Sequence, residues 1–197
     1  MTRAGLLLLL GIPLPLAAQD SRLARLEPAL AAAVEAQLDS ARAAGLPTDP
    51  LVQKALEGSG KGAPSDRILA AVRAVRLSLG EARAVLGPVA AGELTAGANA
   101  LRAGATSETL AGMREGRRGD RSLQVPLEVL SDLIARGVPS ARAGAAVARL
   151  VRQGTDDRQL QLLRERIDQD IRGGTAPGVA LDRRLAGIPA AGAPIPP

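Results

Sequence analysis

Eight times along this 197-residue chain a glycine opens a short punctuation, and that recurrence restricts the fold more than any other feature. The full copies are GLPTDPL from Gly45, GAPSDRI from Gly62, GATSETL from Gly104, GDRSLQV from Gly119, GVPSARA from Gly137 and GTDDRQL from Gly154. GPVAAGE from Gly87 and GTAPGVA from Gly174 are reduced copies that lack the fourth-place oxygen. Each residue type answers one need of a helix boundary. Glycine takes the left-handed conformation that closes a helix, and an apolar residue after it folds back onto that helix. Proline resists continuation of the old helix. The side-chain oxygens of Thr48, Ser65, Ser107, Ser122, Ser140 and Asp157 are expected to accept from free N–H groups of the next helix, each cap worth about 1 kcal/mol. Connections of about four residues then fold neighbouring helices back on each other.

Between the punctuations the apolar period is helical. Leu23, Leu26, Leu30, Val34 and Leu38 stand three and four apart, as do Ile68, Val72, Val75 and Leu79. The same spacing returns in Leu123, Leu127, Leu130 and Ile134, and in Leu160, Leu163, Ile167 and Ile171. Pro28 either kinks the first of these helices or marks its first turn. No stretch alternates apolar and polar residues, so the chain is predicted to be all-α. The intervals between the glycines are 17, 25, 17, 15, 18, 17 and 20 residues. Apart from the interval from Gly62 to Gly87, this spacing predicts an αα-hairpin about every 35 residues, a period typical of helical solenoids. The predicted fold is therefore an array of short antiparallel helices, α-solenoid-like, with an irregular helical bundle as the alternative. The aromatic positions that mark tetratricopeptide repeats are missing, and no named family is assigned.

The two ends differ from this pattern. Residues 1–18 place Arg3 before an apolar run from Leu6 to Leu16 and then small residues, the order of a secretory signal peptide cleaved after Ala18. The run is about half the length needed to span a bilayer. Residues 19–186 form the predicted helical domain. Residues 187–197, GIPAAGAPIPP, carry four prolines and no charge and are expected to be disordered or extended. Export from the cytoplasm, to a periplasm or the medium, is the expected location.

Composition removes several function classes. The chain has no His, Cys, Phe, Trp or Tyr. Without His or Cys, the common zinc, haem and iron–sulfur ligand sets and the imidazole-dependent triads are unobtainable. Without aromatic rings, no aromatic platform stacks a base. The formal charge is +5, and only Lys54 and Lys61 are lysines, leaving 23 arginines. Arginine suits phosphate groups. Its abundance here alongside Ala, Gly and Pro is equally the mark of a G+C-rich coding bias.

Three stretches resemble chemical motifs. EGSGKGAPSD, residues 57–66, sets a lysine among glycines, but a phosphate-binding loop needs Gly, four residues, then Gly-Lys-Ser/Thr after a strand. Here Ala55 stands where the first glycine belongs and Gly62 follows the lysine, so the stretch is read as a turn. REGRRGDRS, residues 114–122, holds Arg114, Arg117, Arg118 and Arg121, together with the adhesion tripeptide Arg118-Gly119-Asp120. It is read as a solvated helix end. The acids Asp156, Asp157, Glu165, Asp168 and Asp170 are the only candidates for paired-carboxylate chemistry, yet Asp168 and Asp170 stand two apart on a helix and face different ways. Arg42, Arg102, Arg118, Arg136, Arg152 and Arg172 precede closing glycines, while Asp49, Asp66, Glu108 and Asp157 sit at helix starts, where both signs complement the helix dipole.

The sequence thus offers no catalytic, cofactor-binding or metal-ligating set. The expected function is that of an exported, non-catalytic helical scaffold that binds another protein or an envelope component. The alternatives are a polyanion binder that uses aligned arginines on lipid headgroups, polysaccharide or nucleic acid, and, less favoured, a carboxylate-based hydrolase.

Overall fold

All eight punctuating glycines adopt positive φ, from 61° at Gly119 to 112° at Gly104. The computed structural model describes residues 20–186. The expected signal peptide (1–18) and the expected disordered tail (187–197) lie outside the described residues. Within them the chain forms a 3-10 turn, Ser21–Arg25, and nine α-helices, with no strand. The helices are α1 Pro28–Ala43, α2 Asp49–Gly60, α3 Ser65–Leu86, α4 Ala91–Ala103 and α5 Ser107–Gly116. They continue as α6 Gln124–Ala135, α7 Ser140–Gln153, α8 Asp157–Arg172 and α9 Pro177–Ala186. Pro28 is the first residue of α1, so it opens that helix and does not kink it.

The helix ends follow the predicted chemistry. At Gly104 the glycine N–H donates to Leu101 O at 3.0 Å, and the next N–H, from Ala105, reaches back to Ala100 O at 2.9 Å. The same pair of bonds recurs at Gly154 with Val151 O and Leu150 O. This double closure satisfies two carbonyls that a helix terminus otherwise leaves free. The apolar residue after the glycine folds under: Leu46 and Val138 are buried.

The helix starts depart from expectation by one residue. Ser65, Ser107, Ser140 and Asp157 are the first helical residues, not caps. The cap positions belong to Pro64, Thr106, Pro139 and Asp156. Proline fits there because its φ is fixed near the required value, its ψ here is extended, and its carbonyl accepts the first helical bond. Ile68 N–H donates to Pro64 O at 3.0 Å, and Ala143 N–H to Pro139 O at 3.0 Å. Thr48 occupies the cap position of α2 without a side-chain bond. Ser122 does accept from Gln124 N–H at 3.0 Å.

Packing joins helices two apart in the chain. α1 lies on α3, α3 on α5, α5 on α7 and α7 on α9, while α4 lies on α6 and α6 on α8. The pairs α2/α3, α3/α4, α6/α7 and α8/α9 also pack. Small residues permit the closest approaches. A Cβ on Gly97 in α4 would lie 2.7 Å from Leu86 Cδ1, and one on Gly144 in α7 would lie 2.9 Å from Thr109 Cγ2. Two aliphatic cores result. One is built around Val34, Leu38, Leu51, Val72 and Leu79, the other around Leu110, Met113, Leu127, Leu130 and Leu150. Val89 and Leu101 pack against both and join them.

Gly62 and Gly80 separate backbone strain from steric clash, because an added Cβ meets nothing within 4 Å at either position. Gly62 has φ of 67°, whereas Gly80 lies inside α3. Urea unfolding should show Gly62→Ala destabilised by about 1–2 kcal/mol. Gly80→Ala should gain up to about 1 kcal/mol.

Candidate functional site

The glycine-rich turn between α2 and α3 is organised around a carboxylate. Lys61 Nζ lies 2.5 Å from Glu57 Oε1, and Lys54 Nζ lies 2.8 Å from Glu57 Oε2. The hydrogen bonds from Lys54 and Lys61 pull the Glu57 carboxyl down to about 2, so it stays ionised across the ordinary pH range. The lysine of the motif is thus committed to the helix that precedes it. The stretch is a turn.

The arginines of residues 114–122 are not simply solvated, which corrects the reading from sequence. Arg114 Nη1 donates to Val85 O at 2.7 Å, in the last turn of α3. Arg118 Nε donates to Arg152 O at 3.0 Å and Arg121 Nη1 to Gly154 O at 2.9 Å, both at the end of α7. Arg83 treats the end of α1 in the same way, donating to Gly45 O at 2.7 Å. The Val85 and Arg152 carbonyls lie in the last turns of α3 and α7, at the negative ends of helix dipoles. Those of Gly45 and Gly154 lie just beyond α1 and α7, so each guanidinium ties down the end of a helix that is not its own. Arg117 and Ser122 instead turn inward to Glu93 of α4, at 3.2 Å and 2.9 Å. Glu93 is only 4% exposed. It pins both ends of the segment between α5 and α6 while Arg118, Gly119 and Asp120 remain outside.

Nothing in the sequence singles out Glu93, which reads as an ordinary acid in the first turn of α4. Its burial requires α6 to lie across α4, an approach so close that a Cβ on Gly92 would collide with the Gln124 side chain. The acids that sequence did single out are dispersed. Asp156 accepts from Gln159 N–H at 2.7 Å while Gln159 Oε1 accepts from Asp156 N–H, a reciprocal cap. Asp157 sits in the first turn of α8. Buried Asp168 is gripped by Arg136 and Arg172. Asp170 accepts two bonds from Arg184, at 2.8 and 2.6 Å, and that hydrogen-bonded guanidinium lowers its carboxyl below the usual range. Glu165 is exposed beside Arg164. Glu165 and Asp168 line one opening together, but both stand on α8 and Asp168 is held by two arginines, which is not the opposed carboxylate pair that glycoside hydrolysis requires. Among the described residues no cluster of three metal-donor side chains forms.

Several openings interrupt the surface of the described residues. A groove of ≈380 Å3 runs between α5 and α7 over Thr109, Gly112, Ala141, Gly144, Ala145 and Ala148. A second, of ≈310 Å3, lies between α6 and α8 and is lined by the Arg136, Arg172 and Asp168 group with the Arg164–Asp132 pair. A third, of ≈160 Å3, opens between α2 and α4 over α3. No described helix is long and apolar enough to cross a membrane. No known protein family, curated protein or solved structure matches the chain.

Truncating Glu93 leaves Arg117 and Ser122 without their shared acceptor. Glu93→Ala should lose about 2 kcal/mol in urea unfolding. Trypsin should then cut at Arg117, Arg118 or Arg121 well before it cuts the native chain. Glu115→Ala, at an exposed position, should change neither measurement.

Proposed function

We propose that this chain is an exported, non-catalytic scaffold whose stacked helices form a helical-repeat-like array and present the α5/α7 groove to a partner protein of the cell envelope. The observation that carries this reading is the packing of helices two apart in the chain. Five ties between distant segments, Arg76 to Gln37, Arg83 to Gly45, Arg118 to Arg152, Arg164 to Asp132 and Arg142 to Asp182, span 32 to 40 residues, while others, such as Ser107 to Glu81 and Arg114 to Val85, span 26 and 29. Arrays that stack in this way offer extended surfaces and are commonly used for binding. The α5/α7 groove suits a helical partner because Gly112, Ala141 and Ala145 let a backbone come close. A leader at residues 1–18, as proposed from the sequence, would direct the scaffold out of the cytoplasm.

The disposition of charge speaks against a surface dedicated to polyanions. Arg83, Arg114, Arg118 and Arg121 close helix ends, and Arg117, Arg136, Arg172 and Arg184 pair with carboxylates. Cations spent in this way do not form one aligned stripe.

Immobilised full-length chain should capture a discrete protein from envelope extract. Ala145→Arg, which fills the α5/α7 groove from an exposed position, should abolish that capture without lowering the unfolding midpoint. Capture that is indifferent to Ala145→Arg, or measurable turnover in glycan and peptide screens, would overturn the reading.

A further inference from the structure

The long third helix produces an opening in which three lining side chains, those of Gln53, Asn99 and Arg102, have no partner among the described residues. α3 runs for 22 residues, against 12 for α2 and 13 for α4. At the usual rise that is about 33 Å for α3 and no more than about 20 Å for either partner. α2 packs on its first half, where Gly58 meets Ile68, and α4 on its second half, where Gly97 meets Ala82 and Leu86. The two short helices therefore follow one another along α3. α4 packs broadly on α6 and α6 on α8, but no comparable contact joins α2 to α4. The cleft between them has Val75, buried in the middle of α3, as its floor.

Its walls are unlike those of the other openings. Gln53 and Lys54 of α2 face Thr95, Asn99 and Arg102 of α4. In the α6/α8 groove, by contrast, every lining arginine is held by a carboxylate. In the cleft, the side chains of Arg102, Asn99 and Gln53 make no hydrogen bond to any described residue, and Arg102 is exposed. Lys54 gives one N–H to Glu57 and has two more to offer. Two cations line the cleft against the single carboxylate of Glu57, and Glu57 is shared with Lys61. The result is a small, donor-rich, net positive opening over an apolar floor.

We propose that this cleft binds a compact phosphoryl group, held between Lys54 on α2 and Arg102 on α4, with the amides of Gln53 and Asn99 as further donors. The site lies outside the α5/α7 groove and does not depend on the scaffold reading. A planar carboxylate is fully engaged by one guanidinium fork. A tetrahedral group with three terminal oxygens engages two opposed walls at once, the fork on one side and a point-charge ammonium on the other. The ≈160 Å3 volume admits a phosphoryl group with a few further heavy atoms and is well below the roughly 300 Å3 of sites for drug-sized ligands. Such a group arrives as free phosphate, as a small phosphate ester or on a lipid headgroup.

The test is a titration of the full-length chain with inorganic phosphate at constant ionic strength, read by 15N NMR at the Arg102 Nε and the Gln53 and Asn99 amides. Saturable shifts confined to these groups and their helices are expected. Arg102→Gln and Lys54→Gln should each weaken binding about tenfold. Arg149→Gln, on α7, should not, and unchanged unfolding midpoints would show that the fold is intact. Glycerol phosphate binding more tightly than phosphate assigns a small ester. Binding to phosphatidylcholine vesicles doped with phosphatidic acid, a monoester that keeps three terminal oxygens, but not to vesicles of phosphatidylcholine alone, lost in Arg102→Gln, assigns a headgroup. Absence of saturable shifts, shifts spread evenly over all arginines, or a titration unchanged by Arg102→Gln would overturn the proposal.

Discussion

The constraint on which the structure depends is the closing of helix ends. A helix terminates with carbonyls that have no partner along its own axis, and a fold of short helices multiplies such ends. This chain answers twice. Glycines with positive φ turn the backbone so that two N–H groups beyond the helix return to carbonyls in its last turn, as at Gly104 and Gly154. Arginines from distant segments then reach outlying carbonyls, as Arg83 of α3 does at Gly45 and Arg118 of the α5–α6 connection at Arg152. The second device turns a local requirement into a tertiary tie. A guanidinium that closes a foreign helix also fixes the distance between two helices.

The aliphatic core follows from the same economy of size. With no aromatic ring available, volume is filled by Leu, Val and Ala, and helices approach closely where Gly97 and Gly144 remove a side chain. Close approach gains many weak dispersion contacts per residue, and those contacts fall away within a fraction of an ångström. Residues such as Gly97 are therefore as integral to the packing as the leucines around them. The buried charges obey the companion rule that a carboxylate out of water must be matched. Glu93 is matched by Arg117 and Ser122, and Asp168 by two arginines.

Charge placement links the fold to the proposed roles. A chain with 23 arginines has the composition of an anion binder, yet many of its guanidiniums are consumed within the fold. What is left for a ligand depends on where the packing is interrupted. The interruption lies at α3, whose extra length separates α2 from α4 and exposes the Lys54 and Arg102 walls. The α5/α7 groove has a different origin, since its small side chains leave room above a close helix contact.

The sequence by itself determined the helical class, the positions of the eight turns and the buried faces of α1, α3, α6 and α8, because these depend on dihedral preference and period over a few residues. Val72, Leu127 and Leu160 lie buried where their spacing put them, and Asp168 and Asp170 point to different partners as a two-residue offset requires. The interval of 25 residues between Gly62 and Gly87 already marked α3 as the odd member, though not the cleft beside it. The cap register slipped at Ser65 and Ser140 because proline and serine both suit a helix start, and only the backbone shows which one holds the non-helical position. Tertiary structure alone decided that Glu93 is buried, that Arg118 closes α7, and that Arg102 is left free of partners among the described residues. Each of these depends on residues more than twenty positions away, and no local pattern encodes which distant carbonyl or carboxylate a long, always-charged side chain will meet.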